Sequence, residues 1–204
     1  MKNFKMFMLL FVSVGLSSTG YSQKIKIKSG DLSSVKGQTS INIEYDYEGM
    51  AVGKFESQEA YIEKKMTEYD EKEPGKGQKF KDSWYLAQKE RFPNKFEQLM
   101  NDGFEKAGIK VSQNNTEAKY TFIVKTTYTE PGFNVGVMRR PAFTNIVLKI
   151  VETSNKDNVV CEISSDANPG QDFAGFDYDA SYRIAESYAK CAKSLAKYML
   201  KNWK

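Results

Sequence analysis

The spacing of apolar residues changes period along this chain, and the order of those changes limits what it can fold into. INIEYDY sets Ile41, Ile43, Tyr45 and Tyr47 at every second position, the period of a half-buried strand. From Ser57 onward the spacing becomes three and four. Ile62, Met66 and Tyr69 make one stripe, and Phe80, Trp84 and Ala87 a second. Phe96, Leu99, Met100, Gly103, Phe104 and Ala107 make a third. Each is a core-facing helix pattern. Alternation returns in KYTFIVKTTYTE, NIVLKIVE and VVCEIS, with the turn-rich TSNKDN between the last two. A long final helix follows, from near Tyr178 to Asn202, burying Ile184, Tyr188, Ala192, Leu195 and Met199, with Cys191 at the border. Strand, three helical segments, three strands and a helix predict one α+β domain. Its sheet is expected to be four-stranded and mainly antiparallel, with helices packed on one face.

The boundaries come from local chemistry. Ser57 is an N-cap residue. In EKEPGKGQ, Pro74 disfavours helix at Glu73, and Gly75 and Gly77 supply turn conformations. Pro93 marks a break or a new first turn, and Gly108 sits where a left-handed cap closes a helix. The alternation of Ile25 and Ile27 in QKIKIKSG predicts a short strand or an extended arm. The Gly75–Lys79 stretch lacks the G-x-x-x-x-G-K-[ST] spacing of a phosphate loop and follows a helix, not a strand. It reads as an exposed helix–helix connection.

Residues 1–22 have a different character. MKNFK is basic, MFMLLFVSVGL is apolar, and Gly20 and Ser22 are small, the layout of a secretory signal peptide. We expect residues 23–204 to form the single domain, exported to the periplasm or the medium. No cysteine follows the apolar run, so the expected product is not a lipoprotein. No later stretch reads as a transmembrane segment. The formal charge of +4 is spread without long like-charge runs, which gives no footprint for nucleic acid. The chain has no histidine, which excludes Ser-His-Asp and Cys-His catalysis and histidine-ligated zinc within it. No catalytic residue, metal ligand or cofactor site is assigned from sequence.

Several residue patterns bear on chemistry. SYAK and SLAK (187–190 and 194–197) match S-x-x-K but lack its partner motifs, and read as the polar face of the last helix. Cys161 and Cys191 form either a disulfide, if the VVCEI strand meets the last helix, or two buried thiols. Asp172, Asp177 and Asp179 in QDFAGFDYD do not match a calcium loop, and Asp179 suits an N-cap. PGFNVGVMRRPAF (131–143) is too long for a tight hairpin. It either extends the sheet and buries itself or forms an interaction loop of Phe133, Val135, Val137, Met138, Arg139 and Arg140. The many aromatics read first as core and sheet packing, with a carbohydrate platform as the other use.

Two resemblances add to this reading. GYSQ, SGDLSSVKGQTSINIEYDYEGM and EKEPGKG resemble a group of small secreted proteins of Bacteroidota, which implies export and no particular activity. In the second half, EAKYTFIVKTTY, NIVLKIVE and the long last helix resemble envelope α/β modules such as the lipopolysaccharide-assembly lipoproteins. That resemblance is one of topology, and the chain departs from it in lacking the lipid-bearing cysteine. The function expected is a non-catalytic binding or assembly module of the cell envelope, meeting an envelope protein or a glycan. The alternative is a carboxylate-dependent hydrolase of glycans or cell wall.

Overall fold

The computed structural model describes residues 22–135, 138–170 and 179–203. The expected leader lies outside the described residues except for its last position, as do Val137, Asp172 and Asp177. Nine strands and four α-helices are described: β1 (Lys24–Gly30), β2 (Ser40–Asp46), β3 (Ala51–Val52), α1 (Gln58–Asp70), α2 (Lys76–Leu86), α3 (Phe92–Phe104), β4 (Lys110–Ser112), β5 (Tyr120–Glu130), β6 (Phe133–Asn134), β7 (Arg139–Arg140), β8 (Ala142–Glu152), β9 (Asn155–Gly170) and α4 (Ala180–Asn202).

The fold is a single main sheet with helices, as the changing period predicts, but the sheet itself corrects the expectation. It has seven strands in the order β1-β9-β8-β5-β2-β4, with β3 also paired to β5. β1, β9, β8 and β5 are antiparallel, whereas β2, β3 and β4 join in parallel. The cause is the crossover. Three helices between β2 and β5 return the chain to the end where it started, and such a connection yields parallel neighbours. β3 and β4 are too short to show a period. β9 runs on well past VVCEIS, through Asn168 and Pro169 to Gly170.

Alternation decides the faces. Phe122, Val124, Ile146, Leu148, Ile150 and Ile163 are fully buried under the helices. Ile123, Lys125, Val147, Lys149 and Glu162 between them are only half-buried, and this side carries the Lys125–Asp46 ion pair at 2.8 Å. α4 lies on β8 and β9 and along α3. There Phe92 stacks on Tyr188 at 5.0 Å between centroids, and the Tyr188 hydroxyl shares a hydrogen bond with Thr126 at 2.5 Å. Close approach of α3 and α4 depends on Gly103, where an added Cβ would sit 2.6 Å from the Ala196 Cβ. The β1 edge carries exposed Lys24, Lys26 and Lys28, which discourage pairing with another sheet.

The helix boundaries follow the caps in most places. The Ser57 hydroxyl accepts from the Ala60 N–H, the Asp179 carboxylate accepts from the Ser181 N–H, and Gly108 is left-handed at φ 68°. Pro93 stands in the first turn of α3, the second of the two expected outcomes, yet the helical path is not interrupted before it. The chain stays helical from Lys76 to Phe104 through a π turn at Ala87–Arg91, where the Phe92 N–H donates five residues back to the Ala87 carbonyl. A proline ring clashes with the carbonyl four residues before it, and the wider turn accommodates Pro93. Among the described residues no helix is long and apolar enough to cross a membrane.

Candidate functional site: an apolar hairpin at one end of the sheet

β5 and β8 pair along eleven residues each and then part. Between them Phe133–Asn134 pairs with Arg139–Arg140 as a separate two-stranded sheet. The Val135 N–H donates to the Met138 carbonyl at 3.0 Å, continuing the pairing toward the tip. The segment therefore does not extend the main sheet.

The base of this hairpin is fixed by charge. Arg183, in the first turns of α4, is 3% exposed. Its Nε donates to the Pro131 carbonyl at 3.2 Å and its Nη2 to the Gly132 carbonyl at 3.3 Å. A buried guanidinium needs such partners, and their carbonyls are held in return. Glu130 accepts from the Gly132 N–H at 3.1 Å and pairs with Arg140 at 3.6 Å. The tip is apolar and open: Phe133 is 41% exposed, Val135 61% and Met138 61%. Arg139 and Arg140 are exposed beside them. Five of the six expected loop residues are thus exposed on this hairpin, Phe133 paired with Arg140 on one side and Arg139 with Asn134 on the other, while the sixth, Val137, lies outside the described residues.

The other sequence candidates fall elsewhere. Cys161 and Cys191 are free and buried, the second of the two alternatives that the sequence left open. The Ser165 hydroxyl bonds to the Cys191 thiol. Ser165 is four residues along β9 from Cys161, about 13 Å at strand rise, and a disulfide spans at most about 7 Å between Cα atoms. Burial pushes the Cys161 thiol up to about 11 and the Cys191 thiol up to about 12, so both stay protonated and unreactive at neutral pH. Ser187 does not belong to a polar face. It is fully buried, donating to the Ile184 carbonyl at 2.6 Å and sharing a hydrogen bond with the Thr144 hydroxyl at 3.2 Å. Gly75 is left-handed before α2, and the Gly77 N–H donates to Asp70 at 2.8 Å, so this stretch joins and packs two helices.

Two grooves flank the π turn. One, of about 590 Å³, lies between this turn and α4. Arg91 stacks over Tyr182 at 3.9 Å, bonds Ser181 and pairs with Asp179, while Lys95 pairs with Glu186 at 2.8 Å. Two of its three carboxylates, Asp179 and Glu186, are thus engaged in holding helices together, and Glu90 is exposed at its edge. A glycan hydrolase needs a carboxyl raised toward neutrality as its acid. Among the described residues, the carboxyls displaced from their ordinary values all move down. Ser33 hydrogen bonds lower Asp31, and Lys65 lowers Glu68. Burial raises Asp46, but bonds from Lys125 and the Glu48 N–H outweigh it. Among the described residues no cluster of His, Cys, Asp or Glu could hold a metal ion.

The second groove, of about 560 Å³, runs along β2. It is lined by Tyr45, Tyr47, Tyr85, Gln88, Lys89, Pro93, Gln113, Asn114 and Thr116, among others. Sequence reading missed it, because a π turn and a strand that stops early leave no periodic signal.

No protein-family model matches the chain, and no curated protein matches it. Among solved structures, the PelC dodecamer from Paraburkholderia phytofirmans is similar at TM-score 0.40 and 14% identity, over 85% of this chain and 97% of that one. A leucine-to-methionine variant of that dodecamer gives TM-score 0.37 and 15% identity, over 84% and 98%. At those values neither assigns this chain a family or an activity.

Proposed function

We infer that the protein is an exported, non-catalytic binding or assembly module of the bacterial cell envelope, meeting its partner through the β6–β7 hairpin. The observation that carries this reading is the exposure of Phe133, Val135 and Met138 on a hairpin clamped at its base by Arg183. Large apolar side chains gathered on a rigid projection, with arginines beside them, have the composition of an interface core. Export rests on the basic and then apolar residues 1–22.

The test is a photo-crosslinking residue at Val135 in the native host. The expected result is one dominant envelope protein or glycan captured. A blank, with the protein folded and exported, removes the hairpin as the contact.

A further inference from the structure

β4 pairs with β2 over only three residues, Ser40 to Asn42. The chain then passes over Asn42, whose side-chain oxygen accepts from the Asn115 N–H at 3.0 Å, and begins β5 on the other side of β2. From Ile43 to Asp46, β2 consequently has β5 on one side and no strand on the other among the described residues. The Thr39 carbonyl accepts from the Lys110 N–H at 2.9 Å, so odd-numbered residues turn their main-chain groups toward the β4 side. Past the end of β4 these are the Ile43 carbonyl and the N–H and carbonyl of Tyr45. Among the described residues no strand, turn or side chain partners them.

This open edge lies inside the groove of about 560 Å³. The π turn and Pro93 form one wall, and Gln113, Asn114 and Thr116 the other. Gln88, 6% exposed, donates to Gln58 at 2.8 Å, and its side-chain oxygen accepts nothing among the described residues. Glu44 is engaged by Lys156 at 2.7 Å. Lys89, exposed at the lip, makes no ion pair among the described residues.

We propose that this slot binds an extended peptide, which adds as a strand beside β2 in line with β4. The proposal rests on the reading of the protein as a binding module and names a second contact with a different chemistry. A residue of the incoming strand meets the N–H and carbonyl of Tyr45 with its own pair, the main-chain recognition of strand addition. The β1 edge of a second copy would bring its exposed lysines toward Lys89, which disfavours it as the occupant. An acidic side chain on the peptide suits Lys89.

Two measurements test this. Amide exchange on the free chain is expected to show Tyr45 N–H exchanging fast between Glu44 and Asp46, whose N–H groups face β5. Equal protection at all three positions overturns the proposal, since the edge is then already paired. Next, linear peptides selected from a random display library against the folded chain are titrated into it. A selected peptide is expected to protect Tyr45 N–H, and N-methylating the peptide amide that faces the Tyr45 carbonyl to weaken binding by about tenfold. Val135→Ser is expected to leave that binding unchanged. If no selected peptide protects Tyr45, the slot is not a peptide site. Peptides lost with Val135→Ser instead belong to the hairpin, which overturns the slot and leaves the binding-module reading standing. Protection of Tyr45 by neutral oligosaccharides alone overturns the peptide as occupant.

Discussion

The Tyr47 hydroxyl donates to the Gln88 main-chain carbonyl at 3.0 Å, and that carbonyl has lost both of its helical donors. In an α-helical register its donor is the Phe92 N–H, which instead reaches Ala87. In a π register it is the N–H of residue 93, and Pro93 has none. Tyr45 plays a parallel part beside it, donating to the Pro93 carbonyl at 3.2 Å. Tyr45 of β2 and Tyr47 just beyond its end thus hold the π turn against the sheet.

Removing one of those hydroxyls isolates the effect. Tyr47→Phe is expected to destabilise by about 1–2 kcal/mol, because a buried acceptor is left without a donor. In a Pro93→Ala background the restored N–H can serve Gln88, and the same change is expected to cost less. Urea unfolding of the four-member cycle gives the coupling.

At the α3–α4 crossing, Gly103→Ala forces a Cβ to within 2.6 Å of the Ala196 Cβ. The expected loss is about 1–3 kcal/mol from overpacking. Adding Ala196→Gly to that variant is expected to recover part of it, although glycine inside a helix itself costs about 1 kcal/mol. Thermal unfolding of the two variants decides this.

Alkaline pH is expected to weaken the fold in a definite window. The thiols of Cys161 and Cys191 ionise near 11 and 12 when folded, against an ordinary value of 9.0, because burial disfavours the thiolate. Above pH 9 the unfolded chain has lost protons that the folded chain retains, so stability falls as pH rises. The contribution is complete below pH 9 and declines up to about 11–12. Burial also raises the ionisation of Tyr45, Tyr47, Tyr61 and Tyr188, which extends the decline beyond pH 10. Denaturant midpoints between pH 8 and pH 10.5 are expected to drop steadily. A flat profile would falsify the burial of these groups.

The thiols give a second readout. A thiol reagent at neutral pH is expected to label neither Cys161 nor Cys191 until the chain unfolds, and reductant is expected to leave stability unchanged. A shift on reduction would mean that the two are joined.

At the hairpin, stability and binding are expected to separate. Val135→Ser and Met138→Ser touch exposed side chains, so each is expected to change stability by no more than about 0.5 kcal/mol. Capture at the hairpin is expected to fall strongly. Equal losses of both would show that the side chains serve the fold.

Much of the architecture was legible because periodicity is strong where elements are long. Ile184, Tyr188, Ala192, Leu195 and Met199 of α4 are all buried as their spacing requires, and Ser57 caps α1. What escaped was set by tertiary context. The parallel pairing of β2 depends on where three helices return the chain, which INIEYDY does not encode locally. Pro93 opens α3 as its spacing allows, but the π turn before it was not legible, because the Gln88 carbonyl is served by Tyr47, more than forty positions away. The hairpin's sequence admitted both burial and exposure, and the Arg183 clamp that fixes it lies about fifty positions downstream. The open edge of β2 follows from the early end of β4, a strand too short to carry a signal.

The pairing of β1 with β9 sets an order of events. The Gln23 amide, just before β1, donates to the Ser165 hydroxyl across 142 positions of sequence and to Asn168 at 2.6 Å. A chain that emerges N-terminus first therefore carries its first strand without a partner until almost the whole sequence is out. Such long-range contacts come late, since ordering the intervening loop precedes any gain from them. The β1 edge of the sheet is therefore completed only when the last quarter of the chain has arrived.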